Sequence, residues 1–175
     1  MLIPLLETER LIIRQFVIGD WPSVKPYVAD PEVMKYIGDG VLSEDHSRIF
    51  VEENSGDSAE AFPVILKDRN TLVGHMILHP WFAPQTYEIG WVIHPDHQRK
   101  GYATEASKCI LKYAFDELKC HRVIATCQPE NAASYRVMEK IGMKREGHFR
   151  KCIYRGDNHW WDEYFYAILE EEWYI

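Results

Sequence analysis

The segment from Thr86 to Gln128 constrains the chain most, because it sets a helix of regular period between two β-rich runs. Ala103, Ala106, Ile110, Ala114 and Leu118 recur at spacings of three and four, and Leu111 and Phe115 widen the stripe. Residues 102–118 are therefore expected as an amphipathic helix. Before it, TYEIGWVI (86–93) alternates, with Tyr87, Ile89, Trp91 and Ile93 on one face and Glu88, Gly90 and Val92 on the other. That second face is polar and small, which is unusual for a buried strand. After the helix, RVIATCQ (122–128) reads as a further strand.

The flanking sequence extends this to a mixed fold. ERLIIRQF (9–16) is β-rich, and Pro22, Pro26 and Pro31 break the following stretch into short helical pieces ending near Gly38. Ser43, followed by Glu44 and Asp45, predicts a capped helix to about Asn54. FPVIL and TLVGHMIL flank Asp68-Arg69-Asn70 as an antiparallel hairpin. Pro129 to Asn131 lead into a helix over 132–140, which Gly142 stops. Two β-rich runs, 143–155 and 159–169, form a hairpin around Arg155-Gly156-Asp157-Asn158. With no repeat or linker, residues 1–175 are expected as one α/β (α+β) domain with a mostly antiparallel sheet.

Composition narrows the function. A formal net charge of -7 on 175 residues argues against a general nucleic-acid binder, so any basic patch is local. Cys109, Cys120, Cys127 and Cys152 show no C-x-x-C pairing and are expected as reduced core thiols, which suits a cytoplasmic address. The N-terminus lacks a basic stretch followed by an apolar run, and the longest apolar runs are too short for a bilayer, so neither export nor a membrane is expected.

A local basic feature is HQRKGYATEA (97–106), where Gln98, Arg99 and Lys100 precede Gly101 at the start of the 102–118 helix. Unpaired N–H groups and the helix dipole make such a start a phosphate site, while a solvated basic turn is the bland alternative. Neither G-x-x-x-x-G-K-[ST] nor G-x-G-x-x-G after a strand occurs, which argues against nucleotide triphosphatases and dehydrogenases.

Gln98-Arg99-Lys100-Gly101-Tyr102-Ala103 resembles the Q/R-x-x-G-x-G/A signature of the GNAT superfamily of acyl-CoA N-acyltransferases. TERLIIRQF, DPEVMKYIG, YEIGWVIHP, GYATEA and NAASYRVMEKIGMKREG resemble its RimJ/RimL-like branch, in order from about residue 7 to 169. The resemblance implies a single GNAT-like domain whose sheet, flanked by helices, splays between the fourth and fifth family strands, here 86–93 and 122–128. It implies acetyl-CoA as cosubstrate, with pyrophosphate on Gln98, Arg99, Lys100, Gly101, Tyr102, Ala103 and Thr104. Pantetheine would lie along Trp91, Val92 and Ile93, with an amide near Val92 polarising the thioester. A family β-bulge would shift the face assignment of 86–93 by one residue.

Acyl transfer to an amine needs a base and a proton source for the thiolate. Glu88, a carboxylate within an apolar strand, is the candidate base, with a structural carboxylate as the alternative. By resemblance, Asn131 contacts pantetheine and Ser134 contacts the coenzyme and serves the departing sulfur; both also suit helix capping. The tyrosine that many family members carry as the acid is here Met138, which leaves Ser134, Tyr135 or water. His75 with His79 and His94 with His97 are expected to be structural, and no metal is expected. Trp160, Trp161, Tyr164, Phe165 and Tyr166 are expected in the sheet core, although Trp160 and Trp161 lie near a turn that could reach an acceptor.

The leading expectation is transfer from acetyl-CoA to a primary amine by direct attack. A protein N-terminal α-amine and a small amine, such as an antibiotic or polyamine, are the competing acceptors. A non-catalytic acyl-CoA-binding module and a scaffold binding an acidic partner are the readings from other classes. A homodimer is a further expectation.

Overall fold

AFPVIL, apolar throughout, becomes an interior strand because it can bury both faces. In the computed structural model, which describes residues 1–38 and 40–174, this is β3 (Ala61–Leu66), buried along its whole length. It pairs antiparallel with β2 (Leu11–Ile13) and β4 (Thr71–Pro80), with Leu11 opposite Leu66 and Ala61 opposite Ile77. The short β1 (Leu6–Glu7) pairs with β2. The expected strand over 9–16 is thus shortened to β2, and β1 precedes it across a break at Thr8. Thr8 causes the break: its N–H donates to Leu11 O (2.9 Å) and its hydroxyl accepts from Leu11 N–H (2.8 Å).

The remaining strands are β5 (Thr86–Ile93), β6 (Arg122–Cys127), β7 (Lys144–Tyr154) and β8 (Trp160–Leu169). Hydrogen-bonded neighbours run β1-β2-β3-β4-β5-β6-β8-β7. β5 and β6 are parallel, whereas β6–β8 and β7–β8 are antiparallel, so the sheet is mixed and mostly antiparallel as expected. The helices are α1 (Trp21–Val28), α2 (Pro31–Met34), α3 (Glu44–Glu53), α4 (Tyr102–Asp116), α5 (Ala132–Lys140) and α6 (Glu170–Trp173). Ser43 caps α3, accepting from His46 N–H at 3.2 Å. α4 stops two residues short of the expected end, and Lys119 then turns the chain with φ 52°. None of the described helices is long and apolar enough to cross a membrane.

The chain divides into two compact units, Met1–His79 with Trp91–Ile110, and Pro80–Gly90 with the chain from Leu111 on. β5 and α4 contribute to both. In the first unit Phe16, Val24, Tyr27, Met34, Val51 and Ile65 are among the residues of one apolar cluster. In the second, Phe115, Val123, Ile124, Met138 and Tyr166 are buried, and Phe115 stacks on Trp173 of α6.

Three expectations need correction. Along β5 the fully buried positions through Val92 are Thr86, Ile89 and Val92, three apart, so burial does not follow simple alternation. Only Cys120 and Cys127 are core thiols; Cys109 is half-buried and Cys152 exposed. Of the aromatic group only Tyr166 is core: Trp160 is exposed, and Trp161, Tyr164 and Phe165 are half-buried, since burial along β8 is confined to 166–168 and the neighbouring edge strand β7 is largely exposed.

His75 is structural, as expected. The Tyr27 hydroxyl and His75 Nδ1 share a hydrogen bond (2.8 Å), a neutral pairing enforced by burial, which pushes the His75 pKa down to about 3. Burial, helped by the Asp20 charge, raises Tyr27 well above its ordinary value. Because the folded His75 value lies below the unfolded one near 6.5, the unfolded chain binds the extra proton. Its contribution is complete above that value and falls as pH drops toward 3, by about 1.4 kcal/mol per pH unit. Urea midpoints measured between about pH 7 and pH 4 are expected to decline with this sign, and more steeply than in His75→Gln.

Candidate functional site

In the first unit, β5 ends at Ile93 and a 3-10 turn over Pro95–His97 leads into Gly101 and α4. The loop is closed by its own polar groups. His94 Nδ1 accepts from Asp96 N–H (3.2 Å), Gln98 Nε2 donates to Ile93 O (3.1 Å), and Lys100 Nζ donates to Asp96 O (2.7 Å). Arg99 and Gly101 are both left-handed, with φ 60° and 82°. At Gly101 a Cβ would also lie 3.4 Å from Arg10 Nη2, so the position suits glycine for two reasons. Glu105 N–H donates to Gly101 O (3.0 Å), which begins the helical ladder. The N–H groups of Tyr102, Ala103 and Thr104 precede that bond and have no acceptor within the helix. The arrangement can take an anion, and the exposed Arg99 side chain adds positive charge.

A brace holds this loop from behind. Arg10 Nε donates to Glu105 Oε2 (2.7 Å), Arg10 N–H to Glu105 Oε1 (3.0 Å), and Arg10 Nη1 to Lys100 O (3.1 Å). Thr8 Oγ1 donates to Glu105 Oε1 (2.5 Å), and the Arg10 guanidinium lies 4.7 Å from the Tyr102 ring centre. Burial works against the Glu105 charge, but the Thr8 hydroxyl and Arg10 outweigh it and hold the carboxyl below its ordinary range. Neither Arg10 nor Glu105 stands out in the sequence, since each reads as a surface charge and they are 95 residues apart.

Trp91, Val92 and Ile93 also belong to the first unit. A Cβ on Gly74 of β4 would lie 2.2 Å from Val92 O, so the two backbones are in close contact there. The Val92 carbonyl faces β4, and alternation along the strand turns the backbone groups of Trp91 and Ile93 to the other edge.

The second unit contains Glu88, Asn131 and Ser134. β5 and β6 are in register from Thr86↔Arg122 through Glu88↔Ile124, so Glu88 is the last paired residue, as a splay beyond it requires. Glu88 is half-buried, and Thr126 Oγ1 donates to its Oε1 at 3.5 Å. Burial raises the carboxyl of Glu163 on β8, with Thr126 opposing and the Glu88 charge adding to the rise. Asn131 caps α5, with Oδ1 accepting from Ser134 N–H (3.2 Å). Burial pushes the Cys127 thiol up to about 11, with Ser134 acting against the rise. Met138 is buried and offers no proton. Sequence reasoning missed Thr126 and Glu163. Glu163 carried the signal that singled out Glu88, an acid inside an apolar strand.

The chain's residues 10–144 match the family model described as "Acetyltransferase (GNAT) domain". It is 58% identical over 168 residues to the uncharacterized N-acetyltransferase YnaD of Bacillus subtilis (strain 168), covering 96% of this chain and 98% of that one. It is similar to the crystal structure of a GNAT-family acetyltransferase from Bacillus anthracis, with 58% identity and a TM-score of 0.93, over 97% of this chain and 100% of that one. Its fold is shared by the spermidine N-acetyltransferase from Vibrio cholerae, solved in complex with CoA and spermine. The TM-score is 0.83 at 23% identity, over 96% of this chain and 100% of that one.

Proposed function

Because the chain belongs to the GNAT family of acetyltransferases and uses acetyl-CoA, we propose that it delivers the acetyl group to a primary amine with Glu88 as general base. The observation that carries this is the position of Glu88, half-buried where the β5–β6 ladder ends. A carboxylate there can take the proton an amine must lose as it attacks the thioester carbon. Attack is direct, with no acyl-enzyme. The chain operates as one acyltransferase domain, since β5 and α4 each supply residues to both units.

The diphosphate of acetyl-CoA takes the loop from Gln98 to Thr104. Amides of Gly101, Tyr102, Ala103 and Thr104 act as donors, Arg99 adds charge, and Gln98 and Lys100 hold the loop's shape. Pantetheine pairs with backbone groups of Trp91 and Ile93, while Val92 secures the strand to β4. Asn131 retains its amide donors for the pantetheine arm after capping α5. Ser134, or neighbouring Tyr135, protonates the departing thiolate.

A protein N-terminal α-amine follows from the RimJ/RimL-like motifs. A small organic cation is the second reading, favoured by aromatic rings on the Glu88 face: Phe165 stands opposite Thr126, Trp81 packs 5.6 Å from it, and Phe82 is 84% exposed. Release of coenzyme A from acetyl-CoA, measured with peptides bearing free N-termini, spermidine and an aminoglycoside, tests both. Acceptor-dependent release with one class supports transfer and names the acceptor. Release that no primary amine accelerates, from protein shown to bind acetyl-CoA, would remove amine acetylation from the account.

A further inference from the structure

Arg10 precedes β2, and its backbone is pinned on both sides: Lys67 N–H donates to Arg10 O (3.0 Å), and Arg10 N–H donates to Glu105 Oε1 (3.0 Å). From that fixed point its guanidinium reaches two separate parts of the loop and helix start, all within the first unit. Nε and Nη2 hold Glu105 Oε2 at 2.7 and 2.6 Å, while Nη1 donates to the Lys100 carbonyl at 3.1 Å. The same group lies against the Tyr102 ring and beside Gly101, where a Cβ would come within 3.4 Å of Nη2.

The bond to Lys100 O has a directional consequence. The 100–101 peptide is planar and trans, so its carbonyl and the Gly101 N–H point in opposite directions. With the carbonyl turned to Arg10, that N–H is turned away from it. Charge adds a second consequence, because Glu105 lies one helical turn from Gly101, its N–H donating to Gly101 O (3.0 Å). Unpaired, a carboxylate so near the loop would repel an arriving diphosphate; paired with Arg10, it is neutralised.

We propose that Arg10 is a positioning residue for the coenzyme: its bond to Lys100 O aims the Gly101 N–H at the diphosphate of acetyl-CoA, and its pairing with Glu105 cancels a charge that would repel that diphosphate. This rests on the reading of 98–104 as the diphosphate loop. A lysine would supply only half of the role. Its single ammonium pairs with Glu105, whereas the guanidinium fork serves the carboxylate and the Lys100 carbonyl together.

Calorimetric titration of the whole protein with coenzyme A tests this without an acceptor. Arg10→Gln is expected to weaken binding about tenfold or more, the loss for one misdirected hydrogen bond to a charged ligand. Arg10→Lys keeps the charge and is expected to remain weaker than wild type by about threefold or more. Arg14→Gln breaks a different ion pair of the same unit, Arg14 Nη1 to Asp20 Oδ2 at 2.7 Å, and is expected to leave binding unchanged. Turnover separates positioning from general loss of structure. With the amine that is acetylated, both Arg10 variants should raise the KM for acetyl-CoA and keep kcat. Both should also keep the wild-type kcat/KM for S-acetylpantetheine, which carries the thioester arm without the diphosphate. Equal losses with the two donors, or a loss in Arg14→Gln as large as in Arg10→Gln, would overturn the proposal. Full affinity in Arg10→Lys would overturn the aiming of Gly101. If the wild-type protein binds coenzyme A no more tightly than pantetheine, the loop reading is wrong and the Arg10 role with it. If it prefers coenzyme A and Arg10→Gln keeps that preference undiminished, the Arg10 role alone is wrong.

Discussion

Glu88→Gln is expected to lower kcat at neutral pH by about 100- to 10,000-fold, the range for loss of a general base. Glutamine keeps the shape and can still accept from Thr126, so the KM for acetyl-CoA should stay near the wild-type value. The deficit should shrink as pH rises toward the pKa of the acceptor, because the free amine then needs no base. Initial rates across pH, with the acceptor that turns over, provide the check. A mutant deficit constant over the whole range would point to distorted packing, and an unchanged kcat would leave Glu88 a structural carboxylate.

Gly74→Ala is expected to destabilise the protein by about 3 to 5 kcal/mol, a range reached only when a substitution cannot be accommodated. The added Cβ would lie 2.2 Å from Val92 O and 2.9 Å from Ile93 Cα, both backbone atoms that no rotamer change can move, and the φ of 155° is itself unfavourable. Urea unfolding should show a large drop in midpoint with little change in slope. In the fraction that folds, the strain falls on the residues proposed to carry pantetheine, so the KM for acetyl-CoA should rise. Gly142→Ala serves as the contrast. Its nearest neighbour would be a flexible Ile168 methyl at 3.5 Å, and only the left-handed φ is costly, at about 1 kcal/mol.

Local signals made much of the fold legible. β5 has the boundaries its alternation implied, although its burial does not alternate; α5 runs from 132 to 140 with Asn131 as its cap; and Ser43 opens α3. These depend on neighbours within a few residues. β1 was hidden because two residues carry too little pattern, and its end is set by hydrogen bonds between Thr8 and Leu11 that no turn residue announces. α6 was missed because four residues following a strand carry too little periodicity. The placement of β8 beside β6 is a long-range choice that sequence order does not reveal.

The candidate site divides the same way. The loop at 98–104 was legible because its motif is contiguous, and Glu88 because it interrupts an apolar strand. The Arg10–Glu105 brace and the Thr126–Glu88 contact were not, since each joins segments that only the folded sheet brings together.

Those separations also bear on how the molecule is made. Arg10 leaves the ribosome long before Glu105, its partner across 95 residues, so the anion-binding loop takes its final form only once α4 has been synthesised. Glu163 lies on β8, the last strand to emerge. The Arg10–Glu105 brace can therefore form before β8, the strand paired with β6, has been synthesised.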